Sequence, residues 1–164
     1  MKVGRITLSD RASAKIYKDR SGPRIDHVLR EVFGSEVQIE PVMLPDDQQR
    51  ISETLRELAD VRGCDLIVTT GGTGIGPRDV TPEATRAVLE KELPGFGEIL
   101  RVTAFEKVPT TILSRATAGV RGRCLIVNLP GKPEAVAECL AILMPDIHEG
   151  LAYLRDEDPR VSPN

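Results

Sequence analysis

The sequence predicts a three-layer α/β domain with a mostly parallel sheet and helices on both faces. Three observations predict it. Short β-branched runs alternate with helix-period stripes from end to end, the pattern of strand–helix–strand units. Leu66-Ile67-Val68 is apolar at successive positions, as in a strand covered on both faces. Aromatic residues make up 3% of the chain and Trp is absent, so the core must be aliphatic.

A length of 164 residues suits one domain, expected over 1–155, with a polar tail at 156–164. Residues 3–8 read as the first strand, ending in Ser9-Asp10-Arg11. Ser21-Gly22-Pro23 opens a helix whose stripe of Ile25, Val28, Leu29, Val32 and Phe33 fits the helical period, and Gly34 stops it. Residues 37–44 form a second strand, followed by Pro45-Asp46-Asp47, where an aspartate can cap the next helix. That helix carries Ile51, Leu55, Leu58 and Ala59 and terminates at Gly63. A third strand over 65–70 runs into the glycine-rich loop 71–77. Thr81 is the expected N-cap of the following helix, with Pro82 in its first position. A further helix follows Pro94-Gly95, and a loop spans 109–115. A strand over 123–129 ends in Pro130-Gly131-Lys132-Pro133. The closing helix carries Val136, Leu140 and Leu143, and Met144-Pro145 is expected to break it before a last helical piece through Leu154.

Composition narrows the function. A net charge of -3 offers no broad basic surface for nucleic acid, so a polyanion could bind only through a local positive cluster or a metal ion. Cys64, Cys124 and Cys139 stand at unrelated spacings, which argues against a zinc site or a disulfide framework and for buried free thiols. The N-terminus is too short and polar for a signal peptide, and no apolar run approaches a membrane span. A reducing cytoplasm is the expected setting. His27 and His148 lie in helical patterns without partners at ligand spacing and read as structural or exposed.

In a parallel α/β sheet, ligands gather at the carboxyl ends of the strands. The loops Ser9-Asp10-Arg11, Pro45-Asp46-Asp47, 71–79 and 130–133 would all face that edge. Gly71-Gly72-Thr73-Gly74 could bring backbone amides close to phosphate oxygens, with the Thr73 hydroxyl beside them; the alternative is a plain turn-rich connector. It is neither a P-loop, since no Lys follows at the required position, nor the G-x-G-x-x-G dinucleotide fingerprint. Asp79, just ahead of a helix, suits a Mg²⁺ ligand beside phosphate, or a cap. Asp46 could share that metal or cap its own helix, a role for which Asp47 competes. Arg11, Arg78, Arg115 and Lys132 could offset an anionic substrate, or could be solvated surface residues.

Seven segments stand out along the chain: Ser9-Asp10-Arg11-Ala12-Ser13, Asp19-Arg20-Ser21-Gly22-Pro23, Leu44-Pro45-Asp46, Thr70-Gly71-Gly72-Thr73-Gly74, Pro77-Arg78-Asp79-Val80-Thr81-Pro82-Glu83, Ile112-Leu113-Ser114-Arg115 and Asn128-Leu129-Pro130-Gly131. Together they resemble the molybdopterin-binding fold of the MogA/MoaB-type molybdenum cofactor biosynthesis family. They occur in the family's order and cover the chain from about residue 5 to 150. The resemblance implies transfer of the adenylyl group of Mg-ATP to the terminal phosphate of molybdopterin, releasing pyrophosphate. It places catalytic and magnesium-binding roles on Asp46 and Asp79. It implies substrate contacts at Ser9, Gly71, Gly72, Thr73, Gly74, Ser114, Arg115, Asn128, Pro130 and Gly131. A homotrimer or hexamer, working alongside other proteins of the same biosynthesis, is the assembly it implies. The 9–13 and 110–115 segments look more like the adenylyltransferase branch than its paralogues. One departure is Ala14-Lys15-Ile16, which lacks the glycine often found there.

Two other readings compete. A non-catalytic pterin-binding or scaffold protein would be expected to have lost Asp46 or Asp79, and both are present. A nucleotide phosphohydrolase would need a water-activating group at the same edge, and neither histidine falls there.

Overall fold

The computed structural model describes residues 1–156, so the tail expected at 156–164 lies outside it beyond its first residue. A six-stranded sheet forms the middle layer, in the order β2-β1-β3-β6-β5-β4. Strands β1 (Lys2–Leu8), β2 (Gln38–Leu44), β3 (Leu66–Thr70) and β6 (Cys124–Leu129) run parallel. Strands β5 (Ala118–Arg121) and β4 (Lys91–Glu92) extend the sheet, with β5 antiparallel to β6 and β4 antiparallel to β5. The register places Thr7 beside Thr70 and Thr70 beside Leu129, so the parallel strands finish level at one edge.

Alternation along the strands builds two cores. Val3, Leu66, Val68, Leu125, Val127 and Leu129 project to one face, beneath α2 (Ser21–Phe33), α5 (Gly95–Phe105) and α6 (Pro133–Leu154). Ile6, Leu8, Ile67 and Ile126 project to the other, beneath α3 (Gln48–Arg56) and α4 (Thr81–Arg86). Leu66, Ile67 and Val68 are each 0% exposed, as their triple apolar run predicts. A short α1 (Asp10–Ser13) follows β1. All three cysteines are buried free thiols; burial pushes Cys64 and Cys139 up to about 11 and raises Cys124 further. Among the described residues no helix is long and apolar enough to cross a membrane.

Several expectations need correction. Strands β4 and β5 carry little sequence signal: β4 is two exposed charged residues and β5 contains Gly119. A Cβ at Gly119 would run into the Leu89 side chain and the Lys91 carbonyl, so glycine is what lets β4 lie against β5. The 109–115 loop contains a 3-10 turn, Pro109–Leu113. Val32 remains 40% exposed although its stripe fits, because the buried face of α2 narrows to Ile25 and Leu29 with Val28 and Phe33 at its margins. Thr81 is not a cap but the first residue of α4; Val80 occupies the cap position.

Pro145 does not break α6, which runs through it for 22 residues. The proline sits on the exposed side, while Leu140, Leu143, Met144, Ile147 and Leu151 hold both halves of the helix to the core. Its missing N–H leaves the Ala141 carbonyl without the usual helical donor. Pro145→Ala is therefore expected to stabilise the fold by about 1–3 kcal/mol. Each kcal/mol should raise Tm by roughly 2–4 °C, measurable by calorimetry.

Candidate active site

The level strand ends bring the four expected loops to one edge, and backbone and side-chain bonds lock them together. Ser9 N donates to the Leu44 carbonyl at 3.0 Å, and Gly71 N to the Leu129 carbonyl at 3.3 Å. Asp10 N donates to Asp46 Oδ2 at 3.1 Å, and Asp46 N donates to Asp10 Oδ1 at 3.0 Å. That reciprocal pair fixes the β1 and β2 loops to each other.

The competition between Asp46 and Asp47 is resolved by the cap. Asp47 Oδ1 accepts from Arg50 N at 2.9 Å and caps α3, which leaves Asp46 for the site. One oxygen of Asp46, Oδ1, is buried and has no hydrogen-bond partner. Burial first, and then the charges of Asp10 and Asp79, push its carboxyl above the ordinary value; hydrogen bonding from Asp10 N and the charge of Arg78 oppose the rise. Asp10 goes the other way. Arg78 Nε and Nη2 donate to its two oxygens at 2.9 Å each, and this pairing holds it below the ordinary carboxylate value.

The glycine-rich loop turns back on itself at once. Gly71 has φ 100°, and a Cβ there would strike the Leu8 carbonyl. Gly72 has φ 63°, and a Cβ there would meet the Thr81 hydroxyl and come within 2.9 Å of Asp46 Oδ1. The Thr81 hydroxyl donates to the Gly71 carbonyl at 2.9 Å, and Thr81 N to the Gly72 carbonyl at 3.0 Å. Asp79 Oδ2 accepts from Gly76 N at 2.8 Å, so this carboxylate closes the loop rather than capping α4. Along the loop, the amides of Gly72, Thr73, Gly74 and Ile75 donate to no acceptor among the described residues. Four successive open amides are suited to an anion.

Six of the expected residues line a cavity of about 630 Å³, whereas Ser9, Gly71, Gly72, Arg115 and Asn128 do not. Its lining includes Thr73, Gly74, Asp79, Ser114, Pro130, Gly131 and Lys132 together with the apolar Leu100, Val108 and Ile142. Asp46 does not line this cavity but stands behind Gly72. Pro130 is pinned through its carbonyl, which accepts from the Thr70 hydroxyl at 2.7 Å, and Gly131 packs against Gly71. Ser9 caps α1, accepting from Ala12 N at 3.2 Å, and its hydroxyl lies 2.9 Å from that of Tyr17. Arg11 lies over the Tyr17 ring, away from the cavity. His27 is exposed beside Glu31, and His148 packs on Phe33; neither lines the cavity, in line with the expectation that both are structural or exposed.

Asn128 is a correction. It is 1% exposed: Oδ1 accepts from Thr117 N, and Nδ2 donates to the Thr69 and Thr85 hydroxyls at 3.0 Å each. Both ends of its amide are spent on tying β6 to β3 and α4, so it braces the wall of the site and does not reach a ligand. Sequence reasoning missed Asp10 and Thr81 as parts of the site. Asp10 had one signal, its place directly after a strand, but its bonds to Asp46 and Arg78 cross between loops distant in sequence.

Fold and site together define a mostly parallel α/β protein with a run of open amides and two carboxylates at its strand ends, the edge where such folds take their ligands. The family described as "Probable molybdopterin binding domain" matches residues 4–149, and the chain belongs to it. The molybdopterin adenylyltransferase of Helicobacter pylori strain J99 is 47% identical over 145 residues, 88% of this chain and 82% of that protein. The molybdopterin adenylyltransferase of Escherichia coli K12 is 44% identical over 140 residues, 85% of this chain and 72% of that protein. The crystal structure of the molybdopterin biosynthesis enzyme MoaB from Thermus thermophilus superposes with a TM-score of 0.85 at 40% identity, covering 94% of this chain and 96% of that one.

The electrostatics of Asp46 generate a stability prediction. Its carboxyl is harder to ionise in the fold than in the unfolded chain, so the ionised form costs stability at neutral pH. That cost fades as pH falls through the raised folded pKa. Asp46→Asn is expected to raise Tm at pH 7, because the neutral amide escapes the cost of a partly buried charge among like charges. The gain should vanish as pH approaches 4, in thermal melts taken across that range, where about half of ordinary carboxyls are protonated.

Proposed function

We propose that this protein is a molybdopterin adenylyltransferase, joining the adenylyl group of ATP to the terminal phosphate of molybdopterin. The observation that carries the reading is the partnerless buried oxygen of Asp46 set against Gly72, at the head of the run of open amides. The names of the 44–48% identical relatives support the same activity.

An oxygen of the pterin phosphate attacks the α-phosphorus of ATP, forming a new phosphorus–oxygen bond as the bond to the bridging oxygen breaks and pyrophosphate departs. The open amides of 72–75 hold phosphoryl oxygens and stabilise the charge that builds on them. The apolar residues Leu100, Val108 and Ile142 in the cavity lining suit a flat heterocycle. Among the described residues no group of three or more His, Cys, Asp and Glu side chains could hold a metal unaided. Asp46 and Asp79 instead supply two carboxylates, a set that fits Mg²⁺, which keeps several waters and takes its other ligands from phosphates. Bound there, magnesium would neutralise part of the triphosphate charge.

Exposed apolar side chains on α5 and the following 3-10 turn support self-association, as a homotrimer or hexamer. Val102 is 71% and Ile112 65% exposed, with Phe105 nearby. The buried free thiols suit a reducing cytoplasm.

The direct test incubates the protein with molybdopterin, ATP and Mg²⁺ and assays adenylylated pterin and pyrophosphate together. Magnesium-dependent formation of both in equal amounts is expected; tight pterin binding with neither product would move the protein to the binding class. Asp79→Asn should keep pterin binding and lose at least about 10²-fold in turnover. Turnover within a few-fold of the parent would remove Asp79 from the mechanism. Sedimentation equilibrium should return the mass of three or six chains, and a single-chain mass would end the assembly proposal.

A further inference from the structure

Arg115 reaches the glycine-rich loop from behind, and its bonds go to loop carbonyls. Its backbone N donates to the Thr73 carbonyl at 2.8 Å, Nε to the Gly74 carbonyl at 2.6 Å, and Nη2 to the Asp79 carbonyl at 2.7 Å. Nη1 is ion-paired with Glu83 Oε1. The other carboxylate oxygen of Glu83 is buried without a partner, so Glu83 is committed to this one contact. Arg115 itself does not line the cavity, whereas Thr73, Gly74, Ile75 and Asp79 do.

Peptide planarity converts these bonds into a statement about the opposite side of the loop. In a trans peptide the carbonyl and the next N–H point in opposite directions, and the described chain has no cis bonds. Turning the Thr73 and Gly74 carbonyls toward Arg115 therefore turns the Gly74 and Ile75 amides away from it. Those two amides are among the four that have no acceptor among the described residues. A glycine-rich loop has many conformations of similar energy, and without an external hold its carbonyls could face the cavity and repel an anion.

We propose that Arg115, braced by Glu83, is a positioning residue that gathers the loop carbonyls on one side and so presents the loop amides to an anion on the other. It does not itself bind the anion. The proposal rests on the anion-binding reading of the loop given above. The Arg115 side chain serves three acceptors, the Gly74 and Asp79 carbonyls and Glu83, from the separate nitrogens of a planar fork; a lysine keeps the charge, but its donors radiate from a single nitrogen and cannot span them.

That difference makes the proposal testable with Arg115→Lys, Arg115→Ala and Glu83→Gln in the full chain. The probes are inorganic pyrophosphate binding, by calorimetry, and hydrogen exchange of the 71–80 segment. Both Arg115 variants should lose about 10-fold or more in affinity, the lysine faring no better than the alanine. Glu83→Gln should weaken binding by about 3-fold. Exchange over 71–80 should speed up in Arg115→Lys while that of β3 stays as it was. Lysine affinity within about 3-fold of the parent would overturn the proposal, because it would make Arg115 a charge ligand. Tighter binding by Glu83→Gln would overturn it too, since a freed Arg115 would then be reaching the anion. Should the Arg115 variants fail to fold, the sign of the Glu83→Gln effect decides. Should the parent bind no pyrophosphate, the anion reading of the loop fails, and the exchange comparison alone decides whether Arg115 holds the loop.

Discussion

The site depends on how closely the end of β3 approaches its neighbours. Gly71 lies so close to the Leu8 carbonyl, and Gly72 to the Thr81 hydroxyl and Asp46, that neither has room for a Cβ, and Gly131 packs tightly on Gly71. The positive φ of both residues then bends the chain back toward α4 within two positions. Because these contacts join the ends of β1, β3 and β6, they set three loops relative to each other at once. The level finish of the parallel strands makes the junction possible, and the two hydrophobic cores hold the strands level.

On that frame the polar groups divide by what surrounds them. Asp10 is paired with Arg78 and sits below the ordinary carboxylate value, while Asp46 is partly buried among like charges and sits above it. A pair of carboxylates one loop apart is thus split into a paired, structural member and one with an oxygen left over for a ligand. The protein's net charge of -3 is no obstacle to phosphate at this edge. Backbone amides carry partial positive charge without adding side chains, and the arginines nearest the loop are held by carboxylates and carbonyls.

The close relation to MoaB of Thermus thermophilus and to adenylyltransferases of other bacteria fits a shared frame with local variation. One turn carries its own local strain. Ala14-Lys15-Ile16 lacks a glycine, yet Lys15 adopts φ 58°, the left-handed conformation that glycine takes most easily. The turn after α1 is kept by its bonds, with Lys15 N on the Ala12 carbonyl and Ile16 N on the Arg11 carbonyl, despite the added side chain.

Most of the frame was legible in the sequence, because periodicity reports burial and burial decides the strands and helices of a parallel α/β sheet. The three-layer class, the four parallel strands, the stop at Gly34 and the shared edge of four loops follow from local pattern alone. Local pattern also singles out Asp79 ahead of a helix but leaves Asp46 and Asp47 in competition, and it is the family resemblance that puts the roles on Asp46 and Asp79. What the sequence left open are choices settled by partners distant along the chain. Asp47 rather than Asp46 caps α3; Thr81 bonds to Gly71 instead of capping; Asn128 turns inward to Thr69, Thr85 and Thr117. Pro145 stays within a helix because the core holds both sides of it, and β4 joins the sheet only because Gly119 of β5 leaves it room. Local propensity fixes what a residue can do, but a polar side chain with several possible partners takes the one that packing brings within about 3 Å, and that is decided only when the chain has folded.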